Sequence, residues 1–310
     1  MNKKNILVFF GNERLATGLS TKTPTIRQLI NAGYDIKAVV TNYEAPTSRK
    51  KRPLEIQQIA EENNIELIIS NTPSELIEKL KEINADAAIL VAYGRIIPQS
   101  VIDVFPKGII NIHPSLLPLH RGPTPIESVI LSGEQKTGTS IMQLTRGMDS
   151  GPVYCQAELL LKGSETKQEL ADTLLEQSAD ILIDILPDIL SGKLQPTPQD
   201  DDSATYDALI AKTDGVIDWN KSNYEIEREV RAYKHWPKSK TTIGNTQVVI
   251  TQASVHDAEG APGKLFIKDK SLGVYCSSGS VVIERLIPSG KNEMDSQSFL
   301  AGYKNTLEIE

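Results

Sequence analysis

Gly108-Ile109-Ile110-Asn111-Ile112-His113-Pro114-Ser115-Leu116-Leu117-Pro118-Leu119-His120 runs an apolar strand into a polar pair and then into a proline-bounded loop. In an extended chain successive side chains alternate faces, so Asn111 and His113 point one way while Ile110 and Ile112 turn into the body. Pro114 has no backbone N–H to give and ends the ladder. A carboxamide donor beside an imidazole, at the mouth of a sheet, suits a reaction that builds an oxyanion and moves a proton. Acyl transfer is such a reaction.

Up to this strand, the first 110 residues alternate short apolar runs with helical patterns, the signature of a parallel sheet covered by helices on both faces. Strands are expected at about 5–10, 35–41, 66–70, 86–92 and 108–113, and helices at 24–32, 53–63, 74–83 and 98–103, each opening near a proline or a capping Thr or Ser. The loop after the first strand holds Gly11 and Gly18 but no G-x-G-x-x-G, so it carries no dinucleotide fingerprint. Downstream, 123–131 is expected as a helix, 138–144 and 153–160 as strands, and 166–190 as a helix with Leu170, Leu174, Ile181, Ile185 and Ile189 in one apolar stripe. Residues 193–206, with two prolines and three consecutive aspartates, have the composition of a linker. Beyond it come a short helix near 222–232 and β-rich segments near 241–254, 262–268, 272–276 and 280–287, whose spacing predicts a small antiparallel barrel.

A length of 310 residues favours a large domain plus a smaller one, because single cores stop growing near 250–300 residues. The apolar and charged fractions, 39% and 24%, are those of a globular protein. Apolar runs such as 6–10 and 87–93 are strand-sized, well short of the roughly 20 residues of a membrane helix, and the first residues lack the apolar stretch of a signal peptide. The expectation is a cytoplasmic protein, without membrane contact, acting as a monomer. Cys155 and Cys276 are about 120 residues apart with no nearby thiol or histidine pair, so neither zinc nor a disulfide framework is indicated. Net charge is −7, which argues against indiscriminate coating of nucleic acid. Within that acidic chain Arg49-Lys50-Lys51-Arg52 is a lone run of four cations, and Arg228, Arg231, Lys234, Lys238 and Lys240 surround His235 and Trp236.

A lone histidine is most often a core residue bonded to backbone, and an aspartate between glycines is most often a turn residue. Three neighbours favour a chemical role for His113: Asn111 on its own face, the prolines that fix the next loop, and Asp149 in Arg146-Gly-Met-Asp149-Ser-Gly151. A carboxylate brought to the imidazole would favour the imidazolium and set its tautomer. Ser115 lies in no G-x-S-x-G elbow, and closeness in sequence is not how Ser–His pairs are assembled, so a serine hydrolase is discounted. Arg49 to Arg52 fall between the second strand and the next helix, on the rim at the carboxyl ends of the strands, where mobile basic loops suit phosphate-bearing partners.

With these residues in view, Asn111-Ile-His113, Ser115-Leu116-Leu117-Pro118 and Arg121-Gly122 resemble the signature of the folate-dependent formyltransferase superfamily, as does Thr137-Gly-Thr-Ser-Ile-Met-Gln-Leu-Thr-Arg-Gly-Met-Asp149-Ser-Gly-Pro152. Those motifs also occur in sugar-nucleotide formyltransferases and in formyltetrahydrofolate hydrolases. Gly215-Val-Ile-Asp-Trp219, Ile226 to Arg231, Ala232-Tyr-Lys-His-Trp236-Pro237, Pro262-Gly-Lys264 and Phe299-Leu-Ala-Gly302 resemble the carboxyl-terminal domain of the methionyl-tRNA formyltransferases. The resemblance implies an α/β chain: a Rossmann-like catalytic domain over 1–192, a linker over 193–206, and an OB-like, tRNA-binding barrel over 207–310. It implies transfer of a formyl group from 10-formyltetrahydrofolate to the α-amine of methionyl initiator tRNA, without a metal. It assigns catalysis to Asn111, His113 and Asp149. Folate binding falls to Ser115, Leu116, Leu117 and Pro118 and to Leu90, Tyr93, Gly94 and Arg95, with 137–145 as a further wall. tRNA binding falls to Arg49, Lys50, Lys51 and Arg52 and to Arg231, Lys234 and Lys238. The chain departs from the family after the first strand, where the loop from Gly11 is several residues longer and lacks the usual proline.

Overall fold

The computed structural model describes residues 5–42, 54–69 and 72–309. They form two compact units, one of residues 1–126, 135–161 and 168–208 and the other of residues 127–134, 162–167 and 209–310.

In the first unit, strands β1 (Ile6–Gly11), β2 (Asp35–Val40), β3 (Glu66–Ile68), β4 (Ala87–Val91) and β5 (Ile109–His113) alternate with helices α1 (Pro24–Asn31), α2 (Glu55–Glu62), α3 (Pro73–Ile83) and α4 (Gln99–Ile102). Helix α5 (Pro125–Ser132), whose residues from Glu127 on belong to the second unit, precedes β6 (Lys136–Gln143), β7 (Val153–Leu160) and the long helix α6 (Lys167–Ser191), which belongs to the first unit after Lys167. The sheet runs β3-β2-β1-β4-β5-β6-β7. Its first five strands pair in parallel, as their continuous apolar runs predict, while β6 and β7 add antiparallel. Leu7, Phe9, Ile89, Val91, Ile110 and Ile112 share a core with α1, α2 and α6, and Val8, Phe10, Ala88, Leu90 and Ile109 share one with α3 and α4. The strand order reverses between β1 and β4, which places a crevice at their carboxyl ends, beside the end of β5.

Residues 193–206 are not a free tether. Thr197 and Val153 exchange two backbone hydrogen bonds of 2.8 Å, the Thr205 N–H donates to the Pro118 carbonyl at 3.2 Å, and the Arg121 N–H donates to the Thr205 carbonyl at 2.9 Å. The prolines and aspartates that look like a linker suit an extended strap whose polar side chains find partners on the first unit.

The second unit holds α7 (Asn223–Ala232), β8 (Ser239–Ile243), β9 (Thr246–His256), β10 (Leu265–Lys268), β11 (Ser271–Tyr275), β12 (Ser280–Pro288), β13 (Met294–Asp295) and α8 (Ser296–Tyr303). The barrel expected there is an antiparallel sheet ordered β10-β11-β12-β9-β8, with β13 on β12. One core draws on β8 to β12 and on α7 and α8 together, and β9 and β12 carry register shifts of the kind that bend strands around such a core. The β-rich stretch expected over 241–254 forms a hairpin, because Gly244, at φ 57, turns the chain between β8 and β9. Helix α8 was not anticipated. In the same unit Lys167 is fully buried, its Nζ donating to Glu127 Oε1 at 3.2 Å and to the Trp236 carbonyl at 3.0 Å, and burial lowers its pKa.

Candidate active site

Strand β5 delivers its two polar side chains as alternation requires. Asn111 sits beside Leu90 of β4 and Met142 of β6, and His113 sits opposite Ser140. Both are buried, at 4% and 5% exposure. Among the described residues the Asn111 carboxamide has no hydrogen-bond partner, so its N–H groups are available to a ligand. His113 is held: Nε2 donates to the His120 carbonyl at 2.8 Å, and Nδ1 lies 3.8 Å from Asp149 Oδ1.

Asp149 lies in the connection between β6 and β7, which leaves the sheet after Gln143, opposite Ile110 near the start of β5, and brings the carboxylate back to the imidazole. Its other carboxylate oxygen accepts the Gly122 N–H at 2.9 Å, and Gln199 Nε2 donates to the Asp149 and Gly151 carbonyls at 2.8 and 2.6 Å. Gln199 Oε1 in turn accepts from Arg121 Nε and Nη2 at 3.1 and 2.9 Å, and Arg121, 1% exposed, also reaches Asp201 Oδ1 at 2.6 Å and the Tyr206 hydroxyl at 2.8 Å. Asp149, His120, Ala92 and Glu13 all adopt left-handed backbone, at φ 46, 57, 52 and 58. Non-glycine residues persist there only where surroundings over-determine them, and such residues gather at functional sites.

The residues expected to bind folate divide into two groups. Leu90 and Tyr93 are each 9% exposed, and Tyr93 packs edge-to-face on Phe10 at 5.4 Å, with burial raising its pKa. Gly94, at φ 72, faces open space and Arg95 is exposed, so this segment presents backbone to the crevice. Ser115 is otherwise placed than expected: it is fully buried, its hydroxyl donates to the Leu119 carbonyl at 2.7 Å, and its carbonyl accepts from Ser140 Oγ at 2.7 Å. The Ser140 hydroxyl also accepts the Leu117 N–H at 3.1 Å and Gln156 Nε2 at 2.8 Å, so Ser115 and Leu117 shape the loop from inside. Leu116 and Pro118 are half-buried, and Leu116 lies so close to Gly138 that a Cβ there would stand 2.5 Å from it.

Among the cations expected to meet tRNA, Arg49, Lys50, Lys51 and Arg52 lie outside the described residues. Lys238 is exposed and Lys234 half-buried. Arg231 does not belong with them. Its guanidinium grips Glu227 through Nε and Nη2 at 2.6 and 2.9 Å and donates from Nη1 to the Glu165 carbonyl at 2.9 Å, which makes it a structural clasp. The pKa of His235 is lowered, by burial and then by the cations Lys167, Lys234 and Lys238.

Sequence reasoning passed over Glu13 and the strap residues. Glu13, 1% exposed, accepts the Thr25 and Ile26 N–H groups at 2.9 Å each, closing the first turn of α1, and burial pushes its pKa up to about 7. Gly11, at φ 107, starts this loop where a Cβ would stand 1.9 Å from the Val91 carbonyl oxygen. The site therefore combines a partly open carboxamide, an oriented imidazole and a carboxylate beside a crevice floored by strand ends, a set able to hold an oxyanion and take up a proton.

The formyl transferase family model matches residues 4–186, and the model of the formyl transferase carboxyl-terminal domain matches residues 209–304. The methionyl-tRNA formyltransferase of Pelobacter propionicus is 31% identical over 301 residues, covering 96% of this chain and 92% of that protein. That of Chloroflexus aurantiacus is 35% identical over 285 residues, covering 89% and 92%. Among solved structures, HypX from Aquifex aeolicus in complex with tetrahydrofolic acid shares the fold at a TM-score of 0.67 and 16% identity, covering 99% of this chain and 48% of that one. On the match of both domain models, and with full-length relatives among the methionyl-tRNA formyltransferases, the chain belongs to the formyl transferase family.

Proposed function

We propose that this protein transfers a formyl group from 10-formyltetrahydrofolate to the α-amine of methionine carried by initiator tRNA. The observation that carries the reading is the convergence of three groups, His113 Nδ1 standing 3.8 Å from Asp149 on the same strand face as the unpartnered Asn111 carboxamide, in a chain whose full-length relatives bear that activity. The folate supplies an activated one-carbon unit. Among the described residues the open Asn111 amide, the backbone around Gly94 and the buried apolar side chains of Leu90 and Tyr93 fit a flat, polar-edged ring system with an electrophilic carbonyl.

In this reading the neutral amine adds to the formyl carbon, and the oxygen that gains charge is held by an Asn111 N–H and by the imidazole. Because Nε2 already donates to His120, the edge of His113 that meets the reacting group is Nδ1. Protonated there, the ring donates to the oxyanion and Asp149 balances its charge. As the carbon–nitrogen bond to the folate breaks, Asp149 takes the proton lost by the attacking nitrogen and His113 gives its own to the departing folate nitrogen, which balances the step. Lys234 and Lys238, with Arg49 to Arg52, are the cations we assign to the RNA backbone. The direct test is incubation of the protein with 10-formyltetrahydrofolate carrying a labelled formyl group and methionyl initiator tRNA. Labelled formylmethionyl-tRNA is the expected product. Label found only in free formate, or only on an amino-sugar nucleotide offered in parallel, overturns the assignment.

A further inference from the structure

We propose that His120 and Asp207 form a positioning pair that fixes which nitrogen of His113 faces the reacting group; only the kinetic arm of its test rests on the formyl-transfer reading above. The His113 Nε2 lies 2.8 Å from the His120 carbonyl oxygen. A carbonyl can only accept, so this contact requires the proton on Nε2 and turns Nδ1 toward Asp149. The orientation and tautomer of His113 therefore depend on where one backbone carbonyl points.

No helix or strand ladder holds that carbonyl. Residue 120 lies in the loop after β5 with φ at 57, a conformation that needs external support in a histidine. The strap of residues 205–207 provides it from three sides. The His120 N–H donates to Thr205 Oγ1 at 2.8 Å, and the His120 Nδ1 stands 3.2 Å from both carboxylate oxygens of Asp207. On the following residue, the Asp207 N–H donates to the Arg121 carbonyl at 2.8 Å. The His120 and Asp207 side chains are 14% and 10% exposed, so their contact is largely removed from the solvent that weakens surface pairs. With its N–H taken by Thr205 and its ring by Asp207, His120 presents its carbonyl to His113.

Two imidazole–carboxylate contacts thus stand in series, His113 with Asp149 and His120 with Asp207, joined by one peptide carbonyl. That carbonyl carries no exchangeable proton, so the outer pair cannot relay protons from the inner one. Its action is orientation, and the comparison is with a second group that sets the tautomer of a catalytic imidazole.

The test uses the full-length protein with Asp207→Ala and Asp207→Asn, each checked for cooperative thermal unfolding. The first readout needs no substrate: nitrogen–proton correlation spectra of isotopically labelled histidine, with His113 assigned by its loss in His113→Gln. The wild type should carry the His113 proton on Nε2. Asp207→Ala should shift the ring toward a mixture of tautomers, and Asp207→Asn, whose carboxamide oxygen still accepts from His120, should restore the wild-type pattern. The second readout is formylation kinetics, where Asp207→Ala should lower kcat by ~10- to 100-fold with KM changed by less than about 2-fold, and Asp207→Asn should recover most of the loss. A folded Asp207→Ala protein with an unchanged His113 spectrum overturns the proposal, whatever its kcat. If Asp207→Ala does not fold, His120→Asn removes the ring with a residue that tolerates left-handed backbone, and an unaltered His113 spectrum there is equally fatal. A wild-type protein that fails to formylate methionyl-tRNA counts against the function proposed above and leaves the spectroscopic arm standing.

Discussion

At the scale of single residues, the chemistry rests on groups whose environments differ sharply. His113→Ala and Asp149→Asn should each lower turnover by about 10²- to 10⁴-fold while the protein still unfolds cooperatively, since neither side chain fills the apolar core. A variant that keeps near-wild-type kcat removes that residue from the mechanism. Glu13 gives a prediction in stability. Its carboxyl holds a proton in the folded protein up to about pH 7, against an ordinary value of 4.5. The native state then binds the extra proton, so this residue's contribution is complete below about pH 4.5 and is lost as pH rises through 7. The wild type should therefore lose roughly 3 kcal/mol relative to Glu13→Gln between pH 4 and pH 9, as read by denaturant unfolding. A difference that stays flat across that range refutes the burial argument. Asn111 and His113 were legible because alternation is local. Glu13 was not, because a carboxylate in a Gly-Asn-Glu loop looks solvated and only distant β4 and α1 bury it. Arg231 was misjudged although its signal was present: Glu227 lies four residues before it, the spacing of an ion pair on one helix.

At the scale of elements, β1 to β5 and their helices fell where periodicity placed them, since buried parallel strands are continuous apolar runs and the helices open on prolines and caps. Antiparallel hairpins and short helices were less visible. The Gly244-Asn245 turn that splits 241–254 into two strands is a recognised hairpin signal, yet the flanking run of β-formers masked it. Helix α8 is announced by its cap: Asp295 accepts the Ser298 N–H at 2.7 Å, and Phe299 stacks on Tyr303 one turn later at 4.6 Å. Asp295→Ala should lower the Tm with no change in kcat, measured by thermal unfolding beside the formylation assay. At the other end of the chain, Gly11→Ala would press a methyl against the Val91 carbonyl. Both the Tm and the folate KM should suffer there, because β1 and β4 meet at the crevice, whereas an unchanged KM would detach this loop from the site.

At the scale of the whole molecule, a chain of net charge −7 must bind a polyanion through local concentrations of cations. Replacing Arg49 to Arg52 with alanine should weaken methionyl-tRNA binding and reduce the slope of log affinity against log salt by up to about 3. Arg231→Ala, by contrast, should lower the Tm and leave that slope unaltered. A full slope in the first variant would move recognition to Lys234 and Lys238. The pairing of His113 with Asp149, and of Asp149 and His120 with residues 199–207, could not be read from the sequence, because it depends on contacts across as many as 87 positions. The order of synthesis gives that long span a consequence. A nascent chain that has emerged through the end of α6 already contains every strand of the first sheet, together with Asn111, His113 and Asp149. It lacks the strand-like strap that fastens their loop. Messages cut short before codon 199 would therefore yield a fragment that holds all three catalytic groups without the strap that orients them.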